Sequence, residues 1–481
     1  MLIKFPPTLS EYQERWLKSN ILDWCMSNGL MLAQPDEPGR AHAVPVTLYP
    51  SPFSRHGFDN ALEIQTAFNR LYHAVVNQPQ FVVDELSRAT SSDDEFTLRL
   101  LDIYRKTVDT RTQHLTGGLF RSDYLVDRAR TSTDEGRQIK QVEFNTVSVS
   151  FASLATRVTQ LHNYMAQSIR SSVHGEVPIS NSLTEMADGL AALHRAYDAA
   201  NAQTLVLFIV QPGEANVADQ RMLEYEMFAR HKIVGVRVTL EQVSRKTTLS
   251  ENNRLVFVPL GLEVSVVYFR SGYGPNDYPT DVEWMARERL ERSHAIQCPS
   301  VLTQLAGTKK MQQLLTIPEV VEKLDPDLSE QQLAALRKTF VGIWPLDDSP
   351  RGLEGRKLAF DMPDRYVLKP QREGGGNNVY GDDIPDFLRQ IDVVNWSNYI
   401  LMELIEPPKI SNTILKNGEL VSGRIVSELG VFGTVLWDLK TGEELRNKQA
   451  GFLLRTKLQS SNEGGIAAGF GCLDAVQLPS R

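Results

Sequence analysis

Apolar positions along the chain change period several times, and each change marks a different kind of element. Over 10–29, "SEYQERWLKSNILDWCMSNG", they recur at helical spacing and Gly29 suits a C-terminal cap, so a helix is expected there, and the opening third reads mainly helical in the same way. Short apolar and alternating runs then predict strands at 140–151 ("KQVEFNTVSVSF"), 204–210 ("TLVLFIV"), 231–240 ("HKIVGVRVTL"), 254–258 ("RLVFV") and 263–270 ("EVSVVYFR"). Helical patterns such as "ADQRMLEYEMFARH" separate some of them, which makes 205–306 an inserted α/β module with parallel crossovers. A helix-rich segment, "LTQLAGTKKMQQLLTIPEVVEKL" onward, follows. From 366 to 457 the chain is expected to alternate short strands and turns, among them "YVLK", "NYILMELI", "SGRIVSELGVFGTVLWDL" and "FLLRTK". No internal repeat or low-complexity tract is evident.

The expected organisation is therefore α/β (α+β). Residues 1–204 hold a helical region and the first part of a core, 205–306 the inserted module, and 307–481 the rest of the core with two loops, glycine-rich at 371–378 and alanine/glycine-rich at 459–470. At 481 residues, with 42% hydrophobic and 23% charged positions, the chain has the profile of an ordinary globular protein with a sizeable interior. The formal charge of -8 argues against nucleic acid or an anionic membrane as a general partner, because such binders need a broad positive field. Any anionic ligand must then meet a local basic pocket. Three cysteines, Cys25, Cys298 and Cys472, have neither metal nor disulfide spacing, and with no apolar run long enough to span a bilayer the expected address is the cytoplasm.

Chemistry concentrates in a few stretches. In a strand over "KQVEFNTV", Glu143 and Asn145 share one face while Val142 and Phe144 point into a core; the parity then switches to Val147, Val149 and Phe151, implying a bulge or turn that re-aims Ser148 and Ser150. Taken alone, the segment reads more simply as an edge strand with a solvated polar face. "KPQREGGGNN" (369–378) directly follows a strand-like run. Its glycines can bring bare backbone N–H groups to an anion, Lys369 can neutralise phosphate charge, and Glu373 offers a hard oxygen to Mg²⁺. A flexible surface turn is the alternative. "RTKLQSSNEGGIAAGFG" sets Arg455 and Lys457 on one face of a strand end ahead of a small-residue loop, the layout of a closing lid or of an ordinary C-terminal turn. Arg121, beside Ser122 and Asp123, suits a bidentate grip on a substrate carboxylate, or a structural ion pair. Glu214, Asn216 and Gln220 lie just beyond an apolar strand, and Arg270 and Tyr273 end another, where open α/β sheets commonly bind ligands. Neither nucleotide-binding glycine signature is present, nor is any H-E-x-x-H or G-x-S-x-G pattern.

"KPQREGGGNNVYG", with "QVEFNTVSVSF", "RSDY", "VVYFRSGY", "CPSVLTQLAGTKK", "YILMELI", "VSELGVFG" and "LLRTK…GGIAAG", closely resembles eukaryotic glutathione synthetase, in order from about residue 115 to the C-terminus. The resemblance implies an ATP-grasp fold, a nucleotide held between two sheets under glycine-rich lids, and a homodimer. It implies ligation of γ-glutamylcysteine to glycine through an acyl phosphate, with ATP converted to ADP and phosphate. By carry-over, Glu143, Asn145 and Glu373 would ligate Mg²⁺. ATP would be held by Glu143, Lys309, Lys369, Pro370, Gln371, Arg372, Glu373, Gly374, Gly375, Gly376, Asn377, Asn378 and Tyr380, by the hinge Met402, Glu403, Leu404 and Ile405, and by Glu428, Lys457 and Glu463. Peptide contacts would fall on Arg121, Val147, Ser148, Val149, Ser150, Glu214, Ala215, Asn216, Gln220, Arg270, Ser271, Gly272, Tyr273, Arg455, Ile466 and Ala467, with Arg121, Arg455 and Lys457 the catalytic cations. Ser271 departs from the aspartate expected in "YFRDGY". A ligase using β-alanine or a polyamine in place of glycine, and a nucleotide-binding scaffold without catalysis, stay open.

Overall fold

Ser10 and Gly29 fix the first helix, Glu11–Asn28, from both ends. The Ser10 hydroxyl accepts from Gln13 N at 3.3 Å while the Gln13 side chain accepts from Ser10 N at 2.9 Å, and Gly29 closes the other end at φ 70°. This computed structural model describes residues 5–7, 10–37, 39–128, 138–168, 175–199, 203–371, 377–461, 464–467 and 469–479, without the side chain of Ser168. Among the described residues no helix is long and apolar enough to cross a membrane. Cys25, Cys298 and Cys472 are all free thiols and all buried.

Two sheets position the site. The larger has thirteen strands among the described residues. Its centre is the strand Leu115–Val126, which runs antiparallel to Glu419–Asp438 along one edge. On the other edge it meets Ile296–Cys298 near its start and Ile139–Asn145 near its end. Glu444–Leu458 continues the sheet beyond Glu419–Asp438, and Gly471–Asp474 lies next to it. Strands Thr204–Ile209, Val234–Val238, Leu262–Phe269 and Ile296–Cys298 are mutually parallel and extend the same sheet, whereas Thr247–Leu249 and Leu255–Phe257 pair antiparallel at its far edge.

Helices cover both faces of this sheet. The amphipathic helix Arg55–Val76 presses Phe68 and Tyr72 onto Phe144, whose ring stacks on Tyr72 at 3.9 Å between centroids. Ala152–Ser168 and Ser182–Ala196 bury Leu154, Val158, Leu161, Leu190 and Leu193 in the core on the opposite face.

The smaller sheet is antiparallel, in the order Ile343–Pro345, Tyr399–Glu403, Tyr366–Pro370, Val379–Tyr380. Alternation divides its residues cleanly. Tyr366, Leu368 and Leu401 join a core with Leu346, Ala359, Ile384 and Leu388, while Val367, Ile400 and Met402 form a second cluster with Ile343 on the other face.

Several expectations are corrected. Strand 140–151 stops at Asn145, and residues 146–151 form a loop in which Ser148 (φ 52°) and Phe151 (φ 69°) take left-handed backbone angles. Pairing with the neighbouring strand skips Val142, so the bulge falls there, and Val142 lines the cleft instead of joining Phe144 in the core. The helical run after 301 is three short helices, Val301–Ala306, Lys309–Leu315 and Pro318–Leu324. Gly307, where a Cβ would stand 2.3 Å from Thr146 Oγ1, caps the first, extended Thr308 opens the second, and Pro318 opens the third at a position needing no N–H. The strands expected to be short after 419 run 20 and 15 residues, Glu419–Asp438 and Glu444–Leu458. Helix Asp383–Gln390 was not anticipated.

Candidate active site

A cleft of ≈ 680 Å³ separates the two sheets. The bulge at Val142 shapes its deepest part. With Val142 outside the ladder, its carbonyl accepts from Lys369 Nζ at 3.0 Å and Gln312 Nε2 at 3.2 Å, which ties the small sheet and a short helix to the edge of the large one. Glu143 follows, and its Oε2 accepts from Lys309 Nζ at 3.1 Å. Burial pushes the Glu143 carboxyl up, but Lys309, Lys369, Arg455 and Arg121 together outweigh it and hold the group ionised, well below the usual carboxylate range.

Arg121 and Asp123, two residues apart on one strand, lock together: Nε donates to Oδ1 at 2.7 Å and Nη2 to Oδ2 at 2.8 Å. The forked edge expected to grip a substrate carboxylate is thus occupied from within, and Arg121 Nη1 reaches Ser150 O at 3.4 Å. Arg455 crosses from the next strand but one to donate to Asp123 Oδ2 at 2.9 Å and to Glu428 Oε1. Burial and the charges of Asp123 and Glu143 push the Glu428 carboxyl up, opposed by Arg455, while Glu428, Asp123 and Glu143 overcome burial to hold Arg455 as a cation.

The loop 146–151 is pinned from behind by Asp219, which accepts from Phe151 N and Ser153 N, both at 2.8 Å. In front, Arg270 donates to Val149 O and, at 2.6 Å, to Ser150 Oγ. Glu214 accepts from Asn216 N at 2.7 Å and Gln220 Nε2 at 2.6 Å. Ser271 donates to Asp277 Oδ1 at 3.0 Å, and Asp277 Oδ2 gathers the backbone N–H groups of Gly272, Tyr273 and Gly274 at 2.9, 3.0 and 3.3 Å. A carboxylate from six residues onward therefore closes the loop that carries Tyr273.

The small sheet supplies Val367, Lys369, Tyr380 and Met402, with Asn378 donating to Tyr380 Oη at 3.3 Å. Ile466 and Ala467 close one side, and Lys416 anchors that loop through Gly469 O. Between Arg455 and Lys457, Thr456 also lines the cleft, and its hydroxyl donates to buried Asp474 at 2.6 Å.

Of the candidate residues, Arg121, Glu143, Asn145, Val147, Ser148, Val149, Ser150, Glu214, Asn216, Arg270, Tyr273, Lys369, Asn378, Tyr380, Met402, Glu403, Leu404, Ile405, Glu428, Arg455, Lys457, Ile466 and Ala467 line this one cleft. Lys309 stands behind Glu143, Gln220 behind Glu214, and Gln371 is buried under the backbone of Lys310 at 2.7 Å. Ala215, Ser271, Gly272, Pro370 and Asn377 flank the lining without forming it. Arg372, Glu373, Gly374, Gly375, Gly376 and Glu463 lie outside the described residues. Sequence reasoning missed Gln211, whose Nε2 donates to Tyr273 Oη at 3.1 Å and Asp277 Oδ1 at 2.8 Å, and it gave Asp123 no role of its own. Each had a signal: Gln211 sits at the end of an apolar strand, and Asp123 shares a strand face with Arg121.

A family model described as eukaryotic glutathione synthase, ATP binding domain, matches residues 11–478. The chain belongs to the eukaryotic glutathione synthase family. Within it, the chain is 40% identical to glutathione synthetase of Homo sapiens over 95% of both chains. It is 38% identical to the glutathione synthetase large chain of Schizosaccharomyces pombe over 95% of this chain and 96% of that one. A glutathione synthetase like-effector from Globodera pallida, solved in apoform, superposes with a TM-score of 0.78 at 22% identity, covering 98% of each chain, and shares the fold. The α/β architecture of two sheets facing across a cleft is that of the ATP-grasp proteins.

Proposed function

We propose that this glutathione synthase family member joins γ-glutamylcysteine to glycine in the cleft between its sheets, with ATP converted to ADP and phosphate. One observation carries the reading: interlocked cations and carboxylates on the large sheet face an apolar strand, Met402 with its neighbours, across a single cleft. Such a cleft suits a triphosphate over the charges and a planar base against the strand. Val367, Tyr380 and the hinge Met402 to Ile405 then hold adenine, and Lys369 and Asn378 the phosphates, with Lys309 adding its charge from behind Glu143. The module 205–306 supplies Gln211, Glu214, Asn216, Arg270 and Tyr273 to the peptide end.

Glu143 and Asn145 fit a hard divalent cation such as Mg²⁺. Both bring oxygen; Glu143 is held ionised, and because Asn145 Nδ2 donates to Asp123 at 3.0 Å, what its amide has left to offer is the carbonyl oxygen. When bound, such a cation neutralises phosphate charge.

The chemistry proceeds in two displacements. A carboxylate oxygen of γ-glutamylcysteine attacks the γ-phosphorus, the bond to the β-phosphate oxygen breaks, and ADP leaves. The glycine amine then attacks the acyl carbon, a C–N bond forms as the C–O bond breaks, inorganic phosphate departs, and the amine proton passes to solvent. Arg455 and Lys457 on one face, with Lys369 opposite, offset charge on the transferring phosphoryl group and the tetrahedral adduct, and Arg121 backs them through Nη1. Ile466 and Ala467 shield the acyl phosphate from water. The three buried free cysteines suit a reducing compartment such as the cytoplasm, and the resemblance implies a homodimer.

Coupled ADP release from purified protein with Mg²⁺, ATP and γ-glutamylcysteine tests the reading. Glycine is expected to drive release. Release with β-alanine or spermidine alone assigns a different acceptor, and no release with any amine leaves a binding scaffold.

A further inference from the structure

We infer that Asp123 is the positioning residue of this site, one carboxylate that aims Arg121, Arg455 and the Asn145 amide together. The inference rests on the proposed ligase reaction.

Asp123 is fully buried and offers two oxygens to four donors. Oδ1 takes Arg121 Nε at 2.7 Å; Oδ2 takes Arg121 Nη2 at 2.8 Å, Arg455 Nη2 at 2.9 Å and Asn145 Nδ2 at 3.0 Å. These donors come from three strands, Leu115–Val126, Ile139–Asn145 and Glu444–Leu458, so the carboxylate ties two neighbouring strands to a third that lies 332 residues away in sequence at Arg455. Charge-assisted, forked bonds of this kind fix direction as well as distance.

A second observation shows that the surroundings are shaped to admit this pair. Gly430 passes beside it in the strand Glu419–Asp438, paired directly with Asp123. A Cβ there would lie 2.8 Å from Asp123 Oδ1 and 2.9 Å from Arg121 Cδ. Only bare backbone fits without displacing the carboxylate.

Three consequences follow for the reaction. With Nε and Nη2 engaged, Arg121 turns Nη1 to the peptide side, where it reaches Ser150 O at 3.4 Å. Arg455 cannot swing toward Glu428 alone, because Nη2 is shared between Glu428 and Asp123. The Asn145 amide is held with nitrogen inward and oxygen outward, the orientation a cation needs. Asp123 touches no reacting atom; it acts through these three groups.

The test uses the full-length chain with Asp123→Asn, Arg455→Ala, the double variant and Gly430→Ala. Asp123→Asn is expected to lower kcat on the order of a hundredfold, with KM for ATP changed less than about threefold. It should also raise the Mg²⁺ concentration for half-maximal rate about tenfold, a shift that a merely structural role would not produce. The double variant should be at least about tenfold more active than the product of the two single losses predicts. Gly430→Ala, which crowds the carboxylate without altering any charge, should reproduce both kinetic effects more weakly, and it carries the test if Asp123→Asn does not fold. A multiplicative double variant with unchanged Mg²⁺ dependence overturns the inference, as does Gly430→Ala with the parent's kinetics. Should the parent show no ligase activity with any amine, the proposed function fails and the crystal structure of Asp123→Asn decides this point separately. Arg455 and the Asn145 amide turned from their present positions support the inference, and both unmoved contradict it.

Discussion

The strands Glu419–Asp438 and Glu444–Leu458 meet the cleft with Glu428, Arg455 and Lys457, whereas the small sheet meets it with Val367, Lys369, Tyr380 and Met402. On the first wall the charged groups are cross-linked: Arg455 answers to two carboxylates, Arg121 to one of the same, and Glu143 to Lys309. On the second wall alternate apolar side chains form a smooth face, backed by a core of Leu368, Leu401, Ile384 and Leu388 that belongs to the small sheet itself. The contrast separates two tasks. Fixed cations suit a charge that develops at one point in space, because no reorganisation is needed when it appears. An apolar face suits a flat ring that must be held without demanding one orientation of every neighbour.

Substitutions on the two walls should therefore fail differently. Arg455→Ala is expected to lower kcat about 10²- to 10³-fold while KM for ATP moves less than about threefold, measured by coupled ADP release; unchanged turnover removes Arg455 from the reaction centre. Glu143→Gln should raise the Mg²⁺ concentration needed for half-maximal rate by about 10- to 100-fold, and a Mg²⁺ titration matching the parent takes Glu143 out of the cation site. On the apolar wall, Ile405→Ala should raise KM for ATP up to about tenfold and leave kcat nearly unaltered. A kcat loss like that of Arg455→Ala would erase the distinction between the walls. Leu368→Ala should destabilise the chain by about 2–5 kcal/mol in denaturant unfolding, with saturating turnover of the remaining folded protein preserved.

An effect confined to acid pH, and silent at neutral pH, lies behind the charged wall. Buried His162 bonds Thr47 at 3.2 Å, Thr47 donates to Asp474 at 2.6 Å, and burial pushes the His162 imidazole down to about 3. Its folded value is below its unfolded one, so the unfolded chain binds the extra proton. The stability that neutral His162 contributes is present above about pH 6.5 and lost as pH falls toward 3. His162→Gln should flatten the pH dependence of unfolding in that window by up to about 1.4 kcal/mol per pH unit. An identical slope in both proteins would show that His162 is protonated in the fold.

Much of this was legible from local pattern. The capped first helix and the parallel strands of the 205–306 region follow from runs a few residues long, whereas the meeting of Glu143, Arg270, Lys369 and Arg455 in one cleft is anticipated only through the family resemblance. What escaped depended on partners distant in sequence. Gly430 and Gly433 lie inside a 20-residue strand and leave room for Asp123 and for Asn69, whose Oδ1 would stand 2.3 Å from a Cβ at Gly433, and nothing in the run "SGRIVSELGVFGTVLWDL" names those partners. The bulge at Val142 is a property of its pairing with the strand Leu115–Val126, so apolar alternation within its own strand gave no sign of it. Helix Asp383–Gln390 was hidden by Pro385, which falls in the first turn, where a missing N–H breaks no helical bond. Ser271 lost a carboxylate that the resemblance anticipated, and Asp277 supplies one to the same loop.

Transfer of ¹⁸O tests the central chemical claim most directly. With both oxygens of the reacting carboxylate of γ-glutamylcysteine labelled, one turnover with ATP and glycine should deliver one ¹⁸O into the released inorganic phosphate and leave the other in the new amide carbonyl. Phosphate carrying no label, with glutathione still formed, would contradict activation of that carboxylate by phosphorylation.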